Sequence, residues 1–311
     1  MTRIIITGPT GAIGMALIQK CVEMDIEVTA VCHRGSARIS SIPVSDKVKV
    51  AECDLDEIRM LPEILSGTYD VFFHLAWACT AGEGRNNIEV QTQNICYTMD
   101  AVEAAGKMGC ECFVGAGSQA EYGRYEGKLN AGVPAFPENG YGIAKLCAGQ
   151  LSRIRCRQLG IRHIWCRILS VYGRYDGEQT MIMSSIRKML DGKAPEYTRA
   201  EQIWDYLYSE DAARALYLAA EKGRDGATYC LGSGQARLLR EYIEIMRDAI
   251  DPELSLRFGV KPYASQQVMY LCADISELHK DTGFVPEFSF EEGIKETISW
   301  IKLQKTQGVH D

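Results

Sequence analysis

The feature that most constrains this chain is a regular exchange of short apolar runs for helical periodicity through its first half. RIIIT (3–7), EVTAVC (27–32), KVKVAEC (47–53), VFFHLAW (71–77), CFVGAG (112–117) and RHIWCRIL (162–169) each read as a strand. Between them, AIGMALIQKCVEM (12–24), NICYTMDAVEAAGKMG (94–109) and YGIAKLCAGQLSRIRCRQLG (141–160) carry apolar residues at helical spacing. The run 71–77 is almost wholly apolar, as suits a strand covered on both faces. Strands and helices alternating at this spacing predict an α/β class with a doubly wound parallel sheet. After Ser170 the rhythm loosens. SIRKML (185–190) and SEDAARALYLAAEKG (209–223) read as helices, the latter with Ser209 as N-cap and Gly223 at its end. GSGQ (232–235), PELSLRFG (252–259) and FVPEFSF (284–290) are short irregular pieces. Two units follow: a nucleotide-binding unit over 1–168, to which 203–230 returns, and a smaller, irregular α+β substrate unit over 169–311.

Composition narrows the partners. The 311 residues are 46% hydrophobic and 24% charged, ordinary for a soluble globular chain. Thirty-four Lys and Arg against 41 Asp and Glu give a net charge of −7. Such a surface repels nucleic acid and anionic membranes, and no basic patch offsets it. The apolar run of MTRIIITG is too short for a signal peptide, and no other run is long enough to span a bilayer. The twelve cysteines include one close pair, Cys110 and Cys112, which is not the C-x-x-C spacing of zinc or redox sites. The five histidines show no H-E-x-x-H. These features lead us to expect a cytoplasmic protein with reduced, buried thiols and no metal site.

Gly8, Gly11 and Gly14 follow the first strand and open the first helix. Glycines there allow a tight turn and let backbone N–H groups and a helix N-terminus approach a pyrophosphate. The spacing is G-x-x-G-x-x-G rather than G-x-G-x-x-G. The second strand ends at His33-Arg34, 20 residues beyond Gly14, where an acid would take the ribose of NAD and an arginine suits the 2′-phosphate of NADP. NADP is therefore expected, with NAD possible; a solvated loop arginine is the competing account. Asp54-Leu55, after the third strand, are placed to hold the adenine, and Asp54 with Glu57 also has capping-box spacing.

Several motifs in order resemble the extended short-chain dehydrogenase/reductase family, which includes nucleotide-sugar epimerases, dehydratases and ketoreductases. T-G-x-x-G-x-x-G is Thr7–Gly14. H-L-A is His74-Leu75-Ala76, and Asn94 lies in the next helix. Ser118–Gly123 matches S-x-x-x-Y-G, Tyr141–Lys145 matches Y-x-x-x-K, and Arg167–Gly173 matches R-x-x-x-V-Y-G. The resemblance covers nearly the whole chain and implies a Rossmann fold. It implies a cofactor site of Gly8, Thr10, Gly11, Ala12, Ile13, Gly14, His33, Arg34, Asp54, Leu55, Leu75, Ala76, Trp77, Asn94, Tyr141, Lys145 and Leu169. It further implies a homodimer through helices 91–108 and 141–159, an arrangement that suits the common isologous pairing.

The pair Tyr141 and Lys145 has a chemical reading of its own. Moving hydride to or from a carbinol carbon requires moving a proton on its oxygen. A free tyrosine ionises near about 10; bringing it down by about three units takes roughly 4 kcal/mol, to which a neighbouring Lys145 ammonium and an oxidised nicotinamide would both contribute. Ser118 would hydrogen-bond the substrate oxygen. By resemblance Lys145 also holds a ribose, and Asn94 supports that geometry. A solvated helix face is the bland alternative, because residues four apart are neighbours on any helix.

The residues after Ser118 sort the reactions of the family. The 4,6-dehydratases resemble one another in carrying Thr-Asp-Glu there. This chain has Ser118-Gln119-Ala120, and Glu121, one place late on a strand, would face away. Gln119–Tyr122 is similar to deoxysugar 4-ketoreductases such as the CDP-paratose and abequose synthases. The expected activity is NADP-dependent reduction of a keto group on a nucleotide-linked deoxysugar, with Tyr141 as proton donor. A nucleotide-sugar 4-epimerase, a reductase of a non-nucleotide carbonyl and a non-catalytic NADP-sensing regulator are the alternatives. Ser118, Gln119, Ser170, Arg174 and Trp204 form the expected substrate set. Trp204-Asp205-Tyr206 replaces the family's R-D-[FY], so the arginine that meets a diphosphate is missing; Arg85, Arg174, Arg187, Arg199 and Arg237 are possible substitutes. A core role is the competing reading for Trp204.

Overall fold

The structure, a computed structural model, describes residues 1–307; residues 308–311, the end of the expected second unit, lie outside the described residues. β1 (Arg3–Thr7), α1 (Ala12–Glu23), β2 (Glu27–Cys32) and β3 (Val48–Glu52) begin the alternation. The short α2 (Leu61–Ile64), β4 (Val71–His74), α3 (Ile88–Lys107), β5 (Cys112–Ser118), α4 (Gly140–Leu159) and β6 (Arg162–Ile168) continue it. These six strands and one more, β10 (Ala227–Leu231), form a seven-stranded parallel sheet in the order β10-β6-β5-β4-β1-β2-β3. The fold is a Rossmann doubly wound sheet.

The period-2 pleat divides β1 between two cores. Ile4 and Ile6 pack with Leu17 of α1 and Leu216 of a later helix, while Ile5 packs with Phe72, Phe113 and Val102 of α3. α4 begins because the Asn139 side chain accepts from Gly142 N at 2.8 Å, and it ends at Gly160, whose φ of 72° is the left-handed region.

The remaining chain divides its work. β7 (Ser170–Tyr172) pairs with β9 (Tyr206–Tyr208), and α6 (Ser209–Lys222) packs on the sheet beside α1 and leads into β10. α5 (Met181–Leu190), α7 (Leu239–Ile250) and α9 (Phe290–Gln307) enclose a separate core of Ile186, Tyr242, Met246, Ile294 and Ile298. β8 (Ile203–Trp204) joins β11 (Arg237–Leu238) in that lobe, and α8 (Ser276–Thr282) packs against the sheet side near β10.

Some elements differ from the sequence reading. β4 stops at His74 rather than Trp77, because its pairing with β1 ends at Thr7 and Leu75–Trp77 bend out of the sheet. α3 starts at Ile88, six residues earlier than periodicity suggested, where Asn87 accepts from Val90 N at 3.2 Å. Ser209 is the first residue of α6, after Tyr208, and does not cap it. The sequence pattern assigned no element to β10, α7 or α9.

Nine of the twelve thiols are buried, and burial pushes Cys21, Cys110 and Cys156 up to about 12. Among the described residues, no helix is long and apolar enough to cross a membrane and no His, Cys, Asp or Glu cluster could hold a metal ion.

Candidate active site

The C-terminal ends of β1, β4, β5 and β6 face two adjoining cavities separated by Gly8 and Trp77, which line both. One, of about 370 Å³, is bounded by Thr10, Val31, His33, Cys53, Leu55 and Ala76. The other, of about 290 Å³, is bounded by Gly11, Leu75, Ser118, Tyr141, Lys145 and Leu169, with Ala12, Ile13 and Gly14 at its edge. Gly8 has φ 68°, and a Cβ there would meet Ala76 N at 2.8 Å; Gly11 has nothing within 4 Å of the place its Cβ would occupy. The turn thus packs on one side and stays open toward the cavity on the other. Open backbone at a helix N-terminus fits the pyrophosphate of a dinucleotide.

His33 lines the first cavity, and its Nδ1 lies 3.1 Å from Arg34 O. Arg34 turns away from that wall. Its Nη1 meets Asp54 Oδ2 at 3.2 Å, Nη2 pairs with Glu57, and its backbone N–H donates to Asp54 Oδ1 at 2.9 Å. Asp54 therefore binds Arg34 and makes no side-chain cap, contrary to the capping-box expectation.

Ser118 ends β5 and opens a single 3-10 turn, Gln119–Glu121. Its Oγ accepts from Ala120 N at 3.2 Å, leaving the hydroxyl proton for the cavity. Glu121 is fully buried inside this turn, not on a strand facing away. It accepts from Ser118 N at 2.8 Å, Trp165 Nε1 at 2.9 Å and Arg167 Nε at 2.6 Å. Three donors hold this carboxylate in the structure, and losing Arg167 would strand a buried charge.

Tyr141 and Lys145 lie one turn apart at the start of α4, yet they are engaged separately. Lys145 Nζ donates to Ala116 O at 2.5 Å and stands 3.8 Å over the Trp77 ring. Burial pushes it down to about 7, against the pull of Glu121. The Tyr141 phenol is held above its ordinary value by burial; Ser118 and Arg85 act to lower it and Glu121 to raise it. Lys145 Nζ lies 5.8 Å from the phenol ring centroid.

Asn94 is buried in α3 and clasps Ala78, donating to its carbonyl at 2.9 Å and accepting from its N–H at 3.0 Å. It braces the loop after β4 and makes no bond to Lys145. Trp77 Nε1 donates to Gln91 Oε1 at 2.9 Å, which fixes the indole beneath the lysine. Gln119 is half-buried in the 3-10 turn. Trp204 and Ser170 bond each other at 2.8 Å and pack between the lobes, outside the walls of both cavities. Arg174 is not at this site. It pairs with Glu210 at 2.5 Å in a separate cleft beside α1 and Phe288. Arg187 pairs with Glu178 and Arg237 with Glu291. The sequence reading missed Asp176 and Thr80, which line the cavity of Tyr141, and Ser36, which lines the other; loop residues without a motif carry no spacing signal.

A family model described as the NAD dependent epimerase/dehydratase family matches residues 4–232. The chain belongs to this family. It is 33% identical to a dTDP-glucose 4,6-dehydratase of Escherichia coli over 53% of this chain and 48% of that protein, about half the relative's length. A Haemophilus influenzae protein of the same description is 27% identical over 96% of this chain and 98% of its own. Among solved structures, a UDP-N-acetylglucosamine 4-epimerase from Methanobrevibacter ruminantium M1 superposes with TM-score 0.88 at 22% identity, over 97% of this chain and 99% of the other. A UDP-glucuronic acid 4-epimerase from Bacillus cereus in complex with NAD gives 0.83 at 20% identity over 97% and 99%. RMD from Pseudomonas aeruginosa complexed with NADPH gives 0.81 at 21% identity over 97% and 100%. At such identities the likeness is one of fold.

Proposed function

We propose that this chain is a nicotinamide-dependent enzyme that interconverts a carbinol and a keto group on a nucleotide-linked sugar, with reduction by NADPH as the first reading. The observation that carries the reading is the meeting of Ser118, Tyr141 and Lys145 on the wall of a cavity whose other wall is the glycine turn. When bound, the nicotinamide supplies or takes up the hydride. Gly8, Gly11, Gly14, Thr10 and Leu55 would hold the cofactor, and Lys145 and Trp77 would bind its ribose. Tyr141 gives its phenolic proton to the carbonyl oxygen as that oxygen gains charge. The Ser118 hydroxyl donates to the same oxygen and keeps the carbonyl within reach of the phenol. Residues from 169 onward, apart from α6 and β10 on the sheet, form the lobe that receives the sugar.

Dehydration is disfavoured by the state of Glu121. A carboxylate with no exposed surface, bonded to Arg167, Trp165 and the Ser118 backbone, is not free to move a proton on substrate. A second reading, NAD-dependent 4-epimerisation, is favoured by one observation: Arg34 already has two carboxylate partners, which weakens its attraction for a 2′-phosphate. Exposed bridges of this kind are weak, so a phosphate can still compete for the guanidinium. The test is to incubate the protein with UDP- and dTDP-linked 4-keto sugars and the corresponding alcohols, with NADPH or NADH. A reductase consumes the cofactor stoichiometrically, whereas an epimerase exchanges the sugar epimers with no net change in it. Formation of a 4-keto-6-deoxy product from a hexose nucleotide, or no turnover of any of these sugars, contradicts both readings.

A further inference from the structure

The loop between β4 and α3 reaches the active site at two points. Trp77, at its start, carries Lys145. Arg85, near its end, lays its guanidinium over Tyr141, with Cζ 4.6 Å from the ring centroid. Both neighbours of Arg85 are pinned. Gly84 O accepts from Gln91 Nε2 at 3.0 Å, and Asn86 Oδ1 accepts from Gly140 N at 2.9 Å, one residue before Tyr141. The backbones meet so closely that a Cβ on Gly140 would lie 3.1 Å from Arg85 O. Arg85 is in no ion pair among the described residues, although Arg124, Arg155, Arg167, Arg174 and Arg237 each have a carboxylate. The backbone is thus pinned on both sides of a half-buried cation that lies over a titratable ring.

We propose that Arg85 is a positioning residue for Tyr141: the loop holds its guanidinium on the phenol, where its charge adds to the stabilisation of the phenolate. The inference rests on Tyr141 being the proton donor of the proposed reaction. The charged groups around the ring support it. Glu121, from the turn after β5, opposes ionisation, but its charge is largely answered by Arg167. Asp176, from the loop after β7, lines the same cavity and its carboxyl is pushed up to about 6 by burial, so near and above neutral pH it also opposes ionisation. Lys145, on α4, is turned toward Ala116 O and Trp77, and burial pushes it down to about 7. A guanidinium keeps its charge through the whole range in which the lysine loses it. Arg85, with Ser118, acts to bring the phenol's pKa down and so favours its ionisation.

The test reads Tyr141 directly and needs no substrate. A fluorinated tyrosine placed at position 141 ionises at lower pH than tyrosine, and its ¹⁹F shift reports the midpoint in the folded protein. The midpoint should rise by about 1 unit in Arg85→Gln, the lower end of the range for an opposite charge within ~4–6 Å. Arg85→Lys should recover part of that rise, because charge returns without the planar contact. Circular dichroism of each variant checks the fold. An unchanged midpoint in Arg85→Gln overturns the proposal, as does an equal rise in Arg85→Gln and Arg85→Lys, which would make the effect one of packing. The kcat–pH profile on a turned-over keto sugar separates this inference from the reading beneath it. A midpoint that moves while the profile does not upholds the coupling and removes Tyr141 from the role of proton donor.

Discussion

Tyr141 and Lys145 share a helix face, but their surroundings give them different tasks. Tyr141→Phe keeps the ring that packs edge-on against Trp77, at 6.1 Å between centroids, and removes only the titrating oxygen. We expect that variant to fold and bind cofactor but lose nearly all turnover. Lys145→Ala should damage both binding and turnover, because it empties a buried position between Ala116 O and Trp77. Ser118→Ala should lower turnover by about 2.7–4 kcal/mol of barrier, the loss of one donor to a developing oxyanion, with cofactor affinity unaltered. Retention of substantial activity by Tyr141→Phe would reduce the spacing to an ordinary helix face. The cofactor choice also belongs to single residues. If Arg34 reads the 2′-phosphate, Glu57→Gln frees part of its guanidinium and should increase the preference for NADPH over NADH, and Arg34→Asp should reverse it. Calorimetric titrations with both cofactors decide this; equal affinities in the unmutated protein and in Glu57→Gln would favour the epimerase reading.

At the scale of elements, α3 serves the site without touching its cavities. Gln91 donates to Cys79 O and Gly84 O and accepts from Trp77 Nε1, while Asn94 clasps Ala78 on both backbone groups. These two buried amides replace the hydrogen bonds a loop cannot make to itself. Gln91→Leu strands two carbonyls and the Trp77 N–H, and should cost about 1–3 kcal/mol of stability. Because the loop also carries Arg85 and Trp77, turnover should fall in parallel, which chemical denaturation and steady-state rates on the same variant would show. Unaltered turnover in a destabilised Gln91→Leu would mean that the loop does not position the site.

At the scale of the molecule, α4 leaves an apolar stripe uncovered. Ile143, Leu151 and Ile154 are 55%, 42% and 54% exposed, at positions that share one face. Ile88 at the start of α3 is also exposed. A second copy meeting α3 and α4 about a two-fold axis would cover the stripe. We expect a homodimer by sedimentation at micromolar concentration, and a monomer after Ile143→Glu with Ile154→Glu; a monomer before substitution contradicts the assembly. Acid stability is a second whole-molecule property. Burial pushes His74 down to about 3 and His163 to about 4, so both are neutral in the fold when the unfolded chain binds protons. Their contribution is complete above the ordinary value near 6.5 and is lost as pH falls toward 4. Asp176, pushed up to about 6, acts in the opposite sense between about 4 and 6. Denaturation free energies should therefore fall from pH 7 to 5, at up to about 1.4 kcal/mol per unit for each histidine. A flat profile would show that the two rings are charged in the fold.

Local pattern was enough for the first half of the chain. Strands β1, β2, β5 and β6 and helices α1 and α4 were legible because each pairs a strong periodicity with a glycine or asparagine at its boundary, and both signals lie within a few residues. The chemistry at Ser118, Tyr141 and Lys145 was legible for the same reason: a motif is a local spacing. What could not be read locally was what each side chain meets across the fold. β10 is a five-residue run whose strand identity comes from pairing with β6, some sixty residues earlier in the chain. Glu121 is made structural by Arg167 and Trp165 on the neighbouring strand. Arg174 is drawn away by Glu210, Arg34 is answered by Asp54 and Glu57, and Arg85 is brought onto Tyr141 by a loop anchored through α3. Spacing along the chain determined which residue types stand at the ends of the strands. Only tertiary structure decided which charges are already paired, because an ion pair depends on distance in space.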